Sequence, residues 1–239
     1  MLTPATSSVT PSMSAASPEP GPLGIFGGTF DPIHIGHLRL AQEAHEALRL
    51  SHVSFVPAGQ PPHRGAPRSR AADRLAMVRL ATAGNPAFTV DDSEVFAQGK
   101  SYTALTLERL RAALGPQRPL VLILGADAFQ GLPTWHRWRD ILQLAHVAVA
   151  NRPGYAPQGH RRPGALSPEL DAVCSDHMGN DPGAVRESPA GRIVPFDMTP
   201  LAISASQVRS LIQAGHSARY LLPDPVLDYI ERHHLYRGT

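Results

Sequence analysis

Apolar residues in this chain fall into short runs separated by longer stretches of helical period. Leu23–Phe26 reads as a buried strand, and Val53–Pro57, Phe88–Asp91, Leu120–Leu124, His146–Ala150 and Ile193–Phe196 read as further strands. Between the first two, Ile35–Leu50 carries Leu38, Ala41, Ala44 and Leu48 at a spacing that makes one apolar helical face. Ser69–Ala83, Tyr102–Leu114 and a segment near Trp135–Leu144 predict further helices, as do Pro168–Met178, Ser204–Ala214 and Pro225–His234. Strands alternating with helices of ten or more residues imply a parallel sheet with right-handed crossovers. The expected class is therefore α/β, an open parallel sheet with helices on both faces.

Two stretches interrupt the pattern. Residues 1–22 are rich in Pro, Ser, Thr and Ala and lack the large apolar side chains that would offset ordering entropy. They predict a disordered tail ahead of a domain spanning 23–239 that ends in a C-terminal helical segment. Residues 151–192 are dense in Pro, Gly and Arg and form a long insert, which implies function or mobility.

Composition narrows the class without changing it. The 239 residues suit one substantial α/β domain, or at most two small ones. A formal charge of +2 makes no case for nucleic acid, and the pI of about 9.0 reflects a small excess of arginine. The lone Cys174 rules out an internal disulfide framework and fits a reducing compartment. No apolar run is long enough to span a bilayer, and the N-terminus lacks the regions of a secretory signal. A soluble, cytoplasmic protein is expected.

The candidate chemistry lies where strands end. Ligands of such sheets sit in the crevice at the carboxyl ends of the strands. Gly27-Gly28, Pro57-Ala58-Gly59 and Gly125-Ala126-Asp127 all occupy such ends, so three turns should converge on one cleft. The paired glycines admit a ligand close to the backbone, and the helix that follows opens with free N–H groups suited to a phosphate. His34 and His37, at this entrance, add donors that can be neutral or charged near pH 7. Farther on, Ser204 is a natural helix cap, with Ser206 beside it and Arg209 about one and a half turns along. That spacing suits a polyphosphate and suits an ordinary capped helix equally well.

The string Gly27-Gly28-Thr29-Phe30-Asp31-Pro32-Ile33-His34-Ile35-Gly36-His37 resembles the signature of Rossmann-like nucleotidyltransferases with a His-x-Gly-His motif. Within that superfamily it looks most like the nicotinate-nucleotide adenylyltransferase family. Ile203–Arg209 is similar to the family's ATP phosphate motif, with Ala205 in place of a hydroxyl residue. His63-Arg64 resembles a Pro-Pro-His-Lys loop over the triphosphate, and Ser101-Tyr102-Thr103 a segment that seats the pyridine nucleotide. Trp135 stands where the family stacks the nicotinate ring, Asp127 resembles its ribose-binding acid, and Asn151-Arg152-Pro153-Gly154 looks like a turn bordering the pocket.

The resemblance implies AMP transfer from ATP to nicotinate mononucleotide, giving deamido-NAD and pyrophosphate. His34, His37 and Arg209 would be the catalytic residues. ATP would meet Gly27, Gly28, Thr29, Phe30, His63, Arg64, Gly125, Asp127, Ser204 and Ser206. The nicotinate nucleotide would meet Thr103, Trp135 and Arg152. A Mg²⁺ ion would be held mainly by the ATP phosphates and water, with no dedicated protein cage. The resemblance implies no nucleic acid or membrane partner, and the sequence leaves the oligomeric state open.

Overall fold

The computed structural model describes residues 21–62, 65–151, 166–179 and 181–238. The tail expected at 1–22 therefore lies almost wholly outside the described residues, as do His63, Arg64 and Arg152. The strands are β1 (Leu23–Gly28), β2 (His52–Pro57), β3 (Phe88–Val90), β4 (Leu120–Gly125), β5 (His146–Asn151) and β6 (Ile193–Asp197). The helices are α1 (Ile35–Ala47), α2 (Ala71–Thr82), α3 (Ser93–Phe96), α4 (Thr103–Leu114), α5 (Ala126–Gln130), α6 (Ile141–Leu144), α7 (Pro168–His177), α8 (Ala205–Gln213) and α9 (Asp224–Arg232).

All six strands pair in parallel, in the order β3-β2-β1-β4-β5-β6. The order reverses between β1 and β4, and the crevice of a doubly wound sheet opens at that switch point. The apolar runs have no polar alternation because both faces of the sheet are covered. In β4, Val121 and Ile123 join a core with α1, α2, α8 and α9, while Leu120, Leu122 and Leu124 join a second core with α4, α6 and α7. The expected fold class is what the structure has, and together these cores make a single domain.

The helix expected over Trp135–Leu144 is broken. Two 3₁₀ turns, Leu132–Thr134 and Trp138–Asp140, precede α6. Trp135 is extended (φ −80°, ψ 147°) and Arg137 is left-handed (φ 53°, ψ 38°), so the run of helical hydrogen bonds cannot continue. Trp135 thus sits between two turns and not at a helix start. On α1, Leu40 takes the buried place expected of Leu38, which is half-buried. Within the segment read as an insert, the described residues include α7, capped by the Ser167 hydroxyl.

Leu122 lies on the central strand beside Ile25 of β1, with about 1% of its surface exposed. Leu122→Ala should lower unfolding free energy by about 2–5 kcal/mol, read as a lower urea midpoint at unchanged m-value.

Candidate active site

β1 ends on the open side of the crevice. A Cβ built at Gly27 or at Gly125 would meet nothing within 4 Å, so both turns present bare backbone to open space. The turns after β1 and β2 are tied together, with Ala58 N–H donating to the Gly28 carbonyl (2.9 Å). Phe30 is left-handed (φ 50°), and its ring turns inward against Phe26, Phe55 and His37. Phe30 as a whole is 3% exposed, so its ring packs into the core and supports the turn from behind.

α1 then starts between the two histidines. His34 is its N-cap (φ −145°, ψ 170°), and the imidazoles of His34 and His37 stack with centroids 3.7 Å apart. His34 N–H donates to His37 Nδ1 (3.2 Å), which leaves the His37 ring proton on Nε2. The glycine in the motif has a steric reason. A Cβ on Gly36 would lie 3.1 Å from His34 Nδ1 and 3.2 Å from its Cε1, where the ring now folds over the first helical turn.

His34 is 6% exposed, its Nδ1 is buried without a partner among the described residues, and burial lowers its pKa to about 4. The expectation that both histidines titrate near pH 7 therefore fails for His34, which is neutral there.

Asp31 fastens this loop. One carboxylate oxygen accepts from Arg68 N–H (2.7 Å), and the other from Ser69 N–H (3.2 Å), Ser69 Oγ (2.5 Å) and the Tyr236 hydroxyl (2.8 Å). Burial pushes the Tyr236 phenol well above its ordinary value, so it stays a donor. The Asp31 carbonyl accepts from Arg209 Nη1 (2.6 Å), which brings α8 to the histidine loop. Ile203, just before α8, also lies near Gly36, whose Cβ would be 3.7 Å from its own. Ser204 caps α8 as its sequence suggests, accepting from Gln207 N–H (3.1 Å), with Ser206 Oγ 3.0 Å away; both serines are exposed.

Across the crevice, the Ser101 hydroxyl accepts from Gly59 N–H (2.9 Å) and Gln60 N–H (3.3 Å), which sets the start of α4 and Thr103 beside the β2 turn. Tyr102 packs on His136 (centroids 4.4 Å), next to a half-buried Trp135. Asp127, in the first turn of α5, is exposed and not a buried cap.

Sequence reasoning assigns nothing to Arg74. Its guanidinium is almost completely buried (1% exposed) and donates to the carbonyls of Thr29 (2.8 Å), Ala58 (2.5 Å) and Gly59 (3.0 Å). Burial lowers its pKa, and the negative charge of Asp31 opposes that shift. A signal for it does exist in the chain, because Arg74 shares its helical face with the buried Met77 and Val78.

A parallel sheet with this strand order, an open glycine turn and two histidines at the next helix start define a Rossmann-like nucleotidyltransferase with a His-x-Gly-His motif. The cytidylyltransferase-like family model matches residues 25–211. A relative in Dechloromonas aromatica, described as a probable nicotinate-nucleotide adenylyltransferase, is 57% identical over 91% of this chain and 99% of its own length. One in Pseudomonas entomophila with the same description is 48% identical over 91% of this chain and 95% of its own. The chain belongs to the cytidylyltransferase-like family and, within it, to the nicotinate-nucleotide adenylyltransferases. Among solved structures, the Plasmodium falciparum nicotinic acid mononucleotide adenylyltransferase complexed with NaAD shares the fold at 13% identity, with a TM-score of 0.66 over 90% of this chain and 97% of its own.

The depressed pKa of His34 has a thermodynamic consequence. Between pH 6.5 and about 4 the unfolded chain binds this proton and the folded chain does not, so stability must fall as pH falls through that window. His34→Gln should remove about 2 kcal/mol of that pH dependence, seen as a shallower loss of urea stability from pH 6.5 to 4.5. An unchanged slope would show that His34 is not held neutral by burial.

Proposed function

We propose that this protein transfers AMP from ATP to nicotinate mononucleotide, yielding deamido-NAD and pyrophosphate in NAD biosynthesis. The reading rests on the stacked His34–His37 pair beside a bare glycine turn, in a chain that matches adenylyltransferase relatives over nearly its whole length. A phosphate oxygen of the mononucleotide attacks the α-phosphorus of ATP. One P–O bond forms, the bond to the bridging oxygen of the β-phosphate breaks, and its electron pair leaves on pyrophosphate. No covalent enzyme intermediate is needed, so positioning and charge stabilisation supply the rate.

His37 would donate from Nε2 to the ATP phosphates, and neutral His34 would donate beside it. Arg209, with Ser204, Ser206 and the free N–H groups of α8, would receive the departing pyrophosphate. The open turns at Gly27, Gly28, Thr29, the Phe30 backbone and Gly125 would line the nucleotide, and Asp127 would accept from ribose hydroxyls. Thr103 and Trp135 would hold the nicotinate nucleotide, with the indole against the pyridine ring. His63 and Arg64 would cover the triphosphate and Arg152 would border the pocket; all three lie outside the described residues.

Among the described residues, no three His, Cys, Asp or Glu side chains are grouped to hold a metal ion. The crevice is lined by N–H and hydroxyl donors, which fit a nucleotide that brings its Mg²⁺ on its own phosphates. Bound there, the ion would neutralise phosphate charge. No helix among the described residues is long and apolar enough to cross a membrane. We place the enzyme in the cytoplasm, which its single buried cysteine also suits.

A pyrophosphate-release assay with ATP tests the reading. Turnover should be fastest with nicotinate mononucleotide among nicotinate mononucleotide, nicotinamide mononucleotide and phosphopantetheine; turnover with phosphopantetheine alone would overturn it. His37→Ala should lower kcat by about 100-fold or more in a folded protein. Trp135→Ala should raise the KM for the nicotinate nucleotide more than that for ATP, and equal changes would argue against stacking.

A further inference from the structure

The most unusual group in the crevice wall is a cation to which, among the described residues, no carboxylate is bonded. Arg74 is buried to 1% exposure, yet its three hydrogen bonds go only to main-chain carbonyls. Those carbonyls belong to two different turns. Nη1 bridges Thr29, in the turn after β1, and Ala58, in the turn after β2, while Nη2 takes Gly59. A buried charge is retained against a large desolvation cost, and a fold that needed only packing here would do as well with an apolar side chain.

We infer that Arg74 is a positioning residue that sets the distance between the two halves of the crevice and so aligns the attacking phosphate with the α-phosphate of ATP. The inference rests on the adenylyltransferase reading above. Thr29 continues into the loop of His34 and His37, the side proposed for ATP. Gly59 is bonded through its N–H to Ser101, two residues before Thr103, the side proposed for the nicotinate nucleotide. The second turn has no slack of its own. A Cβ on Gly59 would run into the Glu94 carbonyl oxygen, so the chain there lies close against α3.

The main-chain tie between the two turns ends at Gly28 and Ala58, and beyond it the guanidinium fixes Thr29 against Gly59. The planar fork matters, because two nitrogens on one rigid group reach three oxygens at a fixed spacing. A lysine has one nitrogen and cannot reproduce that spacing. Arg74 itself touches neither reacting phosphate in this account and acts through the backbone it holds.

A clamp of this kind leaves a distinctive kinetic mark. Each substrate still meets its own half of the site, so binding of ATP alone and of nicotinate mononucleotide alone should change by less than about threefold in Arg74→Lys and Arg74→Met. Alignment of the two is lost, so kcat should fall by about tenfold or more in Arg74→Lys and further in Arg74→Met. The measurements are steady-state pyrophosphate release, equilibrium titration of each substrate separately, and thermal unfolding of both variants beside the wild type. Wild-type turnover with these two substrates is the control; its absence refutes the adenylyltransferase reading itself.

Given an active wild type, a wild-type kcat in folded Arg74→Lys overturns the clamp. So does a drop in both separate affinities as large as the drop in kcat. If Arg74→Met does not fold, Arg74→Lys decides. If neither folds, Arg74 is a residue of the core and the inference is wrong.

Discussion

One buried carboxylate draws the working parts of this molecule together. Asp31, 6% exposed, gathers the start of α2 through Arg68 and Ser69 and the C-terminus through Tyr236. Its own carbonyl receives Arg209 of α8. Unpaired, such a carboxylate would carry a heavy desolvation penalty, so its donors hold the surrounding segments in one arrangement. The β1–α1 loop is therefore not free to wander, although it is irregular backbone at the surface of the crevice. Tyr229 adds a second fastening, donating to Asp73 (3.0 Å) and tying α9 to α2.

The histidine pair follows from that constraint. With the loop fixed, α1 begins at a set place, and the absence of a Cβ at Gly36 lets the His34 ring fold across the first turn onto His37. In the proposed reading this edge receives anions through main-chain N–H groups, two imidazoles and two serine hydroxyls. Among the described residues, formal positive charge comes from Arg209 at the edge and from Arg74 behind the turns. For the proposed reaction this is reasonable, because fixed dipoles stabilise developing charge without reorganising and without gripping the product pyrophosphate as tightly as a cluster of cations would.

Much of this is written plainly in the chain. The inner strands are legible because both faces of the sheet are covered there, which makes β1 and β4 nearly unbroken apolar runs, whereas the edge strand β3 is short and half-exposed. The Ser204 cap and the glycine turns are legible because their chemistry is local. What stays hidden depends on distant partners. Asp31 reads as part of a motif, but its partners lie 37, 178 and 205 positions away, and nothing in the local pattern names them. The helix expected at Trp135 fails because Arg137 takes a left-handed conformation that an arginine rarely adopts. The neutrality of His34 comes from burial, which spacing alone does not reveal. Arg74 is only half hidden: it has helical spacing with Met77 and Val78, but α2 buries residues on several sides and its period does not single the arginine out.

The central claim is that the helix-start histidines and the guanidinium brought in by Asp31 act on the same phosphates. A double-mutant cycle on kcat with ATP and nicotinate mononucleotide, using His37→Ala, Arg209→Ala and the double variant, measures this directly. If the two side chains serve one transition state, the double variant should lose clearly less than the product of the single losses, a coupling of about 1 kcal/mol or more. Single losses that simply multiply, within about 0.3–0.5 kcal/mol, would mean that the two residues work independently and would contradict the account.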